Sequence, residues 1–242
     1  MAEIGSLSSA IKEMPKDEVI RRLHQSDALE LLSRIPPLQG RKAAVLVPLF
    51  YKDDELHILL TVRSKHLRAH GGEVALPGGK QDETDADFKE TALRESEEEV
   101  GLPQDEVEVI SHLGPVFAKA GTMVVPVVGF ISKDFSPVAN PDEVQDIFCA
   151  PLSLFLKCDD HLGKNYGKHL VHFFNFSDGE KDYTIFGMTA FVCIIVATIC
   201  FARGPDFEMS QEFDPANPIK MTELSYMRRV AIADKEINKG KL

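Results

Sequence analysis

Several absences bound what this chain can be. None of its four cysteines, Cys149, Cys158, Cys193 and Cys200, falls in a C-x-x-C pair, so zinc-ribbon and redox-motif readings lack support. They read instead as reduced thiols of an intracellular protein, two of them within an apolar helix. There is no basic tract, and 27 Lys and Arg stand against 38 Asp and Glu for a net charge of −11, which argues against nonspecific nucleic-acid binding and a DNA partner. No Gly/Ser-rich or Pro-rich linker and no repeat divides the 242 residues, and a content of 44% hydrophobic residues suffices for one sizeable core. No apolar signal segment is present, and the first thirty residues hold Glu3, Glu13, Asp17 and Glu18, acids that transit peptides avoid. Tyr183 to Ala202 carries no charge, yet Gly187 interrupts it and its helical part is only about fourteen residues long, which fits a buried core helix better than a membrane span.

What the chain does have is a concentration of glutamate at one place. Gly78-Gly79-Lys80 precedes a helical segment that ends Arg94-Glu95-Ser96-Glu97-Glu98-Glu99-Val100-Gly101. Like charges three and four apart on a helix repel, and anions near a helix C-terminus oppose its dipole. A bound divalent cation reverses both penalties. At about 100° per residue from Phe88, Ala92, Leu93, Ser96 and Val100 form one buried stripe. Glu98, Glu95 and Glu99 fall at about 280°, 340° and 20° as a contiguous carboxylate face, with Arg94 beside Glu98. Glu90 and Glu97 point elsewhere. Three carboxylates on a rigid element suit Mg²⁺ or Mn²⁺.

Arg94-Glu95, Glu98-Glu99 and Gly101-Leu102 resemble the second half of the Nudix box, G-x5-E-x7-R-E-U-x-E-E-x-G-U, where U is aliphatic. Its first half differs: Gly79 lies fifteen residues before Arg94 instead of fourteen, Asp85 is the acid correctly spaced from Gly79, and Ala86 has the spacing from Arg94. Ser96 stands where an aliphatic residue is usual. Upstream, Leu59-Leu60-Thr61-Val62-Arg63-Ser64, Arg68, Gly72 and Leu76-Pro77-Gly78-Gly79 are similar to the coenzyme A diphosphatase signature L-L-T-x-R-(S/A)-x3-R-x3-G-x3-F-P-G-G, with Leu76 for Phe. Further matches lie at Asn140 to Val144, at Phe148 with Pro151-Leu152, and at Gly187 to Ala190.

The resemblance implies metal-dependent hydrolysis of the diphosphate of coenzyme A and acyl-CoA to 3′,5′-ADP and 4′-phosphopantetheine or its acyl form. The alternatives are another nucleotide diphosphate (ADP-ribose, NADH or capped RNA) or a non-catalytic acyl-CoA sensor. It implies Mg²⁺ or Mn²⁺ held by Glu95, Glu98, Glu99 and the Gly79 backbone. Glu95 serves as ligand or base, Arg94 orients, and Glu143 is a further ligand or base or else a structural loop acid. Arg63, Ser64, Arg68, Gly78, Gly79 and Lys80 are the expected substrate contacts, because arginine can bond two phosphate oxygens at once in a protein whose net charge repels polyanions. Lys65, His66 and His70 read as surface or turn residues. Peroxisomal members of the family end in S-K-L-like signals, which Gly240-Lys241-Leu242 partly matches; the cytoplasm is the alternative compartment. Either a monomer or a homodimer is compatible with the sequence.

The expected fold is the Nudix-type α/β/α sandwich, a mixed sheet between helices, divided as an N-terminal helical extension (1–36), a Nudix domain (37–205) and a tail (206–242) that is either partly disordered or packed back. Expected elements are a helix from Asp17 to about Ser33; strands at 41–51, 55–62, 73–76, 107–113, 123–131 and 144–150; the box helix from Ala86 to Val100; a hairpin of 169–176 and 182–186; and a helix from Thr189 to Ala202.

Overall fold

The computed structural model describes residues 14–34, 40–118, 121–167 and 169–239; Gly240-Lys241-Leu242 lies outside them. In chain order the elements are α1 (Lys16–Gln25), α2 (Leu29–Arg34), β1 (Lys42–Lys52), β2 (Glu55–Arg63), β3 (Val74–Ala75), β4 (Gly78–Lys80), α3 (Phe88–Val100), β5 (Glu108–His112), β6 (Val116–Phe117), β7 (Met123–Phe130), β8 (Val144–Pro151), β9 (His161–Tyr166), β10 (His169–Ser177), β11 (Asp182–Phe186), α4 (Gly187–Phe201) and α5 (Lys220–Lys239).

β1 is the organising strand. It runs antiparallel to β2 and β4 and parallel to β7, giving a mixed sheet ordered β3-β2-β1-β7-β5, with β8 on β2 and β6 on β7. Residues 43–50 of β1 are buried throughout, because both faces are covered and alternate side chains enter opposite cores. Ala44 and Leu46 pack with Ala92, Leu93 and Val100 of α3. Val45, Val47 and Leu49 pack with α4 and with Val19 and Leu23 of α1. This is an α/β/α sandwich. The nearly charge-free stretch is the end of β11 plus α4, an interior helix, and no helix among the described residues is long and apolar enough to cross a membrane.

Two helix boundaries differ from the expectation. The predicted helix from Asp17 to Ser33 is two helices. Asp27 ends the run by accepting from the His112 amide at 2.8 Å, and the Ala28 amide donates to the His112 carbonyl at 2.7 Å, so the break docks the segment on β5. α3 starts at Phe88 instead of Ala86, because Asp87 caps it by accepting from the Glu90 amide at 2.8 Å. It ends at Gly101 in the left-handed conformation. In the C-terminal region, α5 packs back: Tyr226 is buried and stacks with Phe117. The segment after β8 adds β9, which pairs with β10 to make a second, three-stranded sheet with β11.

Candidate metal and diphosphate site

The site sits where the sheet splits. Gly78 and Gly79 pair with Val45 and Ala44 of β1, and α3 crosses behind them. The carboxylates of Glu95, Glu99 and Glu143 converge, one oxygen of each lying within 4.8 Å of the others. Two come from one helix face, as 100° periodicity requires. The third arrives by backbone stitching: the Asn140 amide donates to the Glu99 carbonyl at 2.9 Å, the Glu143 amide to the Asn140 carbonyl at 3.0 Å, and the Ser64 amide to the Glu143 carbonyl at 2.8 Å.

Glu99 is the anchor. Its side chain is 2% exposed; it accepts from the Gly78 amide at 3.2 Å and from Arg63 at 3.4 Å. Burial pushes its carboxyl up to about 7, against the Gly78 amide and Arg63, with Glu143 and Glu95 adding repulsion. Glu95 is also raised, by burial first, while Arg94 opposes the shift. Carboxylates that resist ionising together in a buried cluster are what a divalent cation would compensate, and an all-oxygen donor set fits Mg²⁺ or Mn²⁺. The residues present therefore fit such an ion.

Arg94 is fully engaged. Its Nε and one terminal nitrogen each lie 2.9 Å from an oxygen of Asp85, that nitrogen also donates to the Lys80 carbonyl at 3.1 Å, and the other reaches Glu98 at 3.2 Å and Glu95 at 3.1 Å. Asp85 is thus the acid that position 79 spaces correctly. The extra loop residue is absorbed in a turn in which the Asp82 amide donates to Asp85 at 2.8 Å. Its role was the one the motif left unassigned, and its spacing from Gly79 was the signal.

The other expected residues distribute as follows. Glu98 stands outside the converging group, half exposed beside Arg94. Ser64 is buried, with its backbone in the Glu143 stitch. Arg68 and Lys80 are exposed on the loop and strand flanking the cluster. His70 meets Glu73 at 2.8 Å, a turn contact.

The two glycines are required for different reasons. A Cβ at Gly78 would lie 2.4 Å from the Ala44 carbonyl and 2.5 Å from the Val45 Cα, at φ +149, so the clash is with backbone. A Cβ at Gly79 would lie 2.2 Å from a carboxylate oxygen of Glu95, a side-chain end that can swing away. Gly78→Ala is therefore expected to destabilise the fold by about 1–3 kcal/mol. Gly79→Ala should leave the melting temperature nearly unchanged and lower activity by displacing Glu95. Melting and turnover of the two variants check this; a Gly79→Ala protein with full activity would refute the close approach.

The NUDIX domain family matches residues 40–170. Nudix hydrolase 15, mitochondrial, of Arabidopsis thaliana is 39% identical over 209 residues, covering 81% of this chain and 73% of that protein. Nudix hydrolase 22, chloroplastic, of the same plant is 44% identical over 174 residues, covering 69% of this chain and 58% of its own length. The peroxisomal coenzyme A diphosphatase NUDT7 of Mus musculus is 37% identical over 223 residues, covering 90% of this chain and 92% of that one.

Proposed function

The chain belongs to the Nudix family and is a hydrolase of that kind, and from that premise we propose that it cleaves the diphosphate of coenzyme A and its acyl thioesters. The observation that carries this reading is the correspondence over nine-tenths of both chains with a relative named for that reaction. The coenzyme A-type signature also lies at the carboxylates. Arg63 touches Glu99, the Ser64 amide holds Glu143, and Gly78 and Gly79 lie against Glu99 and Glu95.

Nudix hydrolases generally use divalent metal ions, and here Glu95, Glu99 and Glu143 would hold the cation, with Glu98 at the outer side and the Gly79 carbonyl as a backbone donor. Such a cation supplies charge neutralisation and lowers the pKa of bound water. The chain's own contribution is positioning. Asp85 locks Arg94, and Arg94 presses on Glu95 and Glu98, so the Glu95 carboxylate is oriented to take the proton from the attacking water. Water adds at phosphorus and the bridging P–O bond breaks, giving 3′,5′-ADP and 4′-phosphopantetheine. Arg63, Arg68 and Lys80 are the cationic groups offered to the phosphates in a protein that otherwise repels them.

The test is product analysis by liquid chromatography and mass spectrometry with CoA, octanoyl-CoA, dephospho-CoA, ADP-ribose and NADH, each with Mg²⁺, Mn²⁺ or chelator. Metal-dependent 3′,5′-ADP from CoA and octanoyl-CoA, slowed when the 3′-phosphate is missing, is the expected result. Faster cleavage of ADP-ribose or NADH would replace the substrate. No cleavage of any compound would favour an acyl-CoA sensor. The plant relatives, named only as Nudix hydrolases, make the comparison with ADP-ribose and NADH necessary.

A further inference from the structure

A cavity of about 270 Å³ lies between β6, β10 and the starts of α4 and α5. Its walls include Phe117, Leu170, Met188, Phe191 and Met221, and no charged residue lines it among the described residues. The mainly apolar lining favours an apolar group.

Three polar side chains share this lining, Thr222, Ser225 and His172, and the histidine is the titratable one. His172 is 4% exposed; its Nδ1 is 2.9 Å from Nε2 of His161, and both rings lie against Phe207. Its own Nε2 makes no hydrogen bond among the described residues. Burial, with His161 adding to it, lowers its pKa to about 4, so the ring is neutral at pH 7. Whichever way the proton lies in the His161–His172 bond, one ring nitrogen remains for a ligand bearing both an amide and a carbonyl.

A chain of contacts also links the cavity to the carboxylates. Met188 adjoins Thr189, whose hydroxyl donates to the Val74 carbonyl at 3.1 Å. Val74 pairs with Val62, and the next residue, Arg63, reaches Glu99. The cavity and the carboxylates are thus joined through one strand pair and one arginine side chain. A pantetheine arm has the reach of about four extended residues, on the order of 14 Å.

We infer that this cavity receives the thioester end of an acylated pantetheine arm, with the acyl chain against Met188 and Phe191 and His172 Nε2 hydrogen-bonded to the arm. The inference rests on the coenzyme A reading and extends it to acyl-chain selection, with Met188 and Phe191 determining specificity and His172 positioning the arm.

The test uses octanoyl-pantetheine, which carries no phosphate, titrated into the full chain with histidine ring signals followed by NMR. Saturable binding that moves the His172 signals, weakened at least tenfold by Met188→Trp, is expected. Absence of binding to the wild-type protein, or binding indifferent to Met188→Trp, overturns the inference without any variant having to retain activity. In kinetics, Met188→Trp should lower the ratio of kcat/KM for octanoyl-CoA to that for CoA at least tenfold; an unchanged ratio counts against the site. The two readings fail separately. Octanoyl-pantetheine binding without cleavage of any CoA compound removes the reaction and keeps the cavity, whereas CoA cleavage without octanoyl-pantetheine binding does the reverse.

Discussion

Glu99→Gln is expected to abolish most turnover while making the metal-free protein more stable at pH 8. Glu99 is the most enclosed of the three carboxylates, held by the Gly78 amide and Arg63. Loss of activity should exceed the roughly 10–100-fold typical of residues that act behind metal ligands; Glu98→Gln, at the solvent side beside Arg94, should fall within that range. The stability change has the opposite sign for a reason fixed by linkage. The native carboxyl titrates at about 7 against an ordinary 4.5, so between those values the native state binds more protons than the unfolded state. Stability of the metal-free protein then falls as pH rises through that window. Glutamine removes the titration, and at pH 8 the gain is on the order of a few kcal/mol, several degrees of melting temperature. Added Mg²⁺ or Mn²⁺ should raise the melting temperature of the wild-type protein and leave that of the variant almost unmoved. Melting curves at pH 5 and pH 8, with chelator and with metal, decide it. A variant less stable than wild type at pH 8 in chelator would mean that Glu99 is held by its hydrogen bonds more than it is penalised by burial.

The helical part of this site was legible because it obeys one rule. Periodicity near 100° puts Glu98, Glu95 and Glu99 on one face and buries Ala92, Leu93, Ser96 and Val100; all four of these are buried, Glu95 and Glu99 converge, and Glu98 is left half exposed beside Arg94. The same rule carried no information about Glu143, which reaches the cluster through amide bonds between loop and helix end that no local pattern encodes. Only its resemblance to a family position marked it. Asp85 was visible as one of two incompatible alignments, and the choice between Asp85 and Ala86 depended on how a loop one residue longer folds. The turn that brings the Asp82 amide to Asp85 made that choice. His161 and His172 were unreadable for a different reason. Their pairing follows from the antiparallel register that sets Gly163 opposite His172 and His161 opposite Phe174, and neither residue has a neighbour in sequence that suggests it. The break between α1 and α2 was hidden because apolar periodicity continues across it, while the force that stops the helix is a tertiary bond from Asp27 to β5.

Arg94→Gln should cost about 3–5 kcal/mol, the penalty for leaving a buried carboxylate without its partner. Asp85 has a side chain 2% exposed and takes two 2.9 Å bonds from Arg94, and the guanidinium holds its carboxyl far below the usual range, against the burial that would raise it. Glutamine cannot reproduce that paired donation or the charge. On a chain of this size the expected fall in melting temperature is roughly 10 °C. Arg94→Gln combined with Asp85→Asn should recover part of it, because the stranded charge is then gone. The pH dependence gives an independent reading. A depressed native pKa contributes stability that is present above the unfolded value of 3.8 and lost as pH falls below it. The gap between wild type and Arg94→Gln should therefore be widest near neutrality, begin to narrow below about pH 4 and close only as pH approaches the strongly depressed native value. Denaturant titrations at pH 2 and pH 7 measure both gaps. Equal gaps at the two values would show that Arg94 stabilises α3 through packing and its Lys80 and Glu98 contacts, and not through the charge on Asp85. Turnover of the double variant then separates the two duties of the pair, since recovered stability with activity still lost is the outcome expected if Arg94 also orients Glu95.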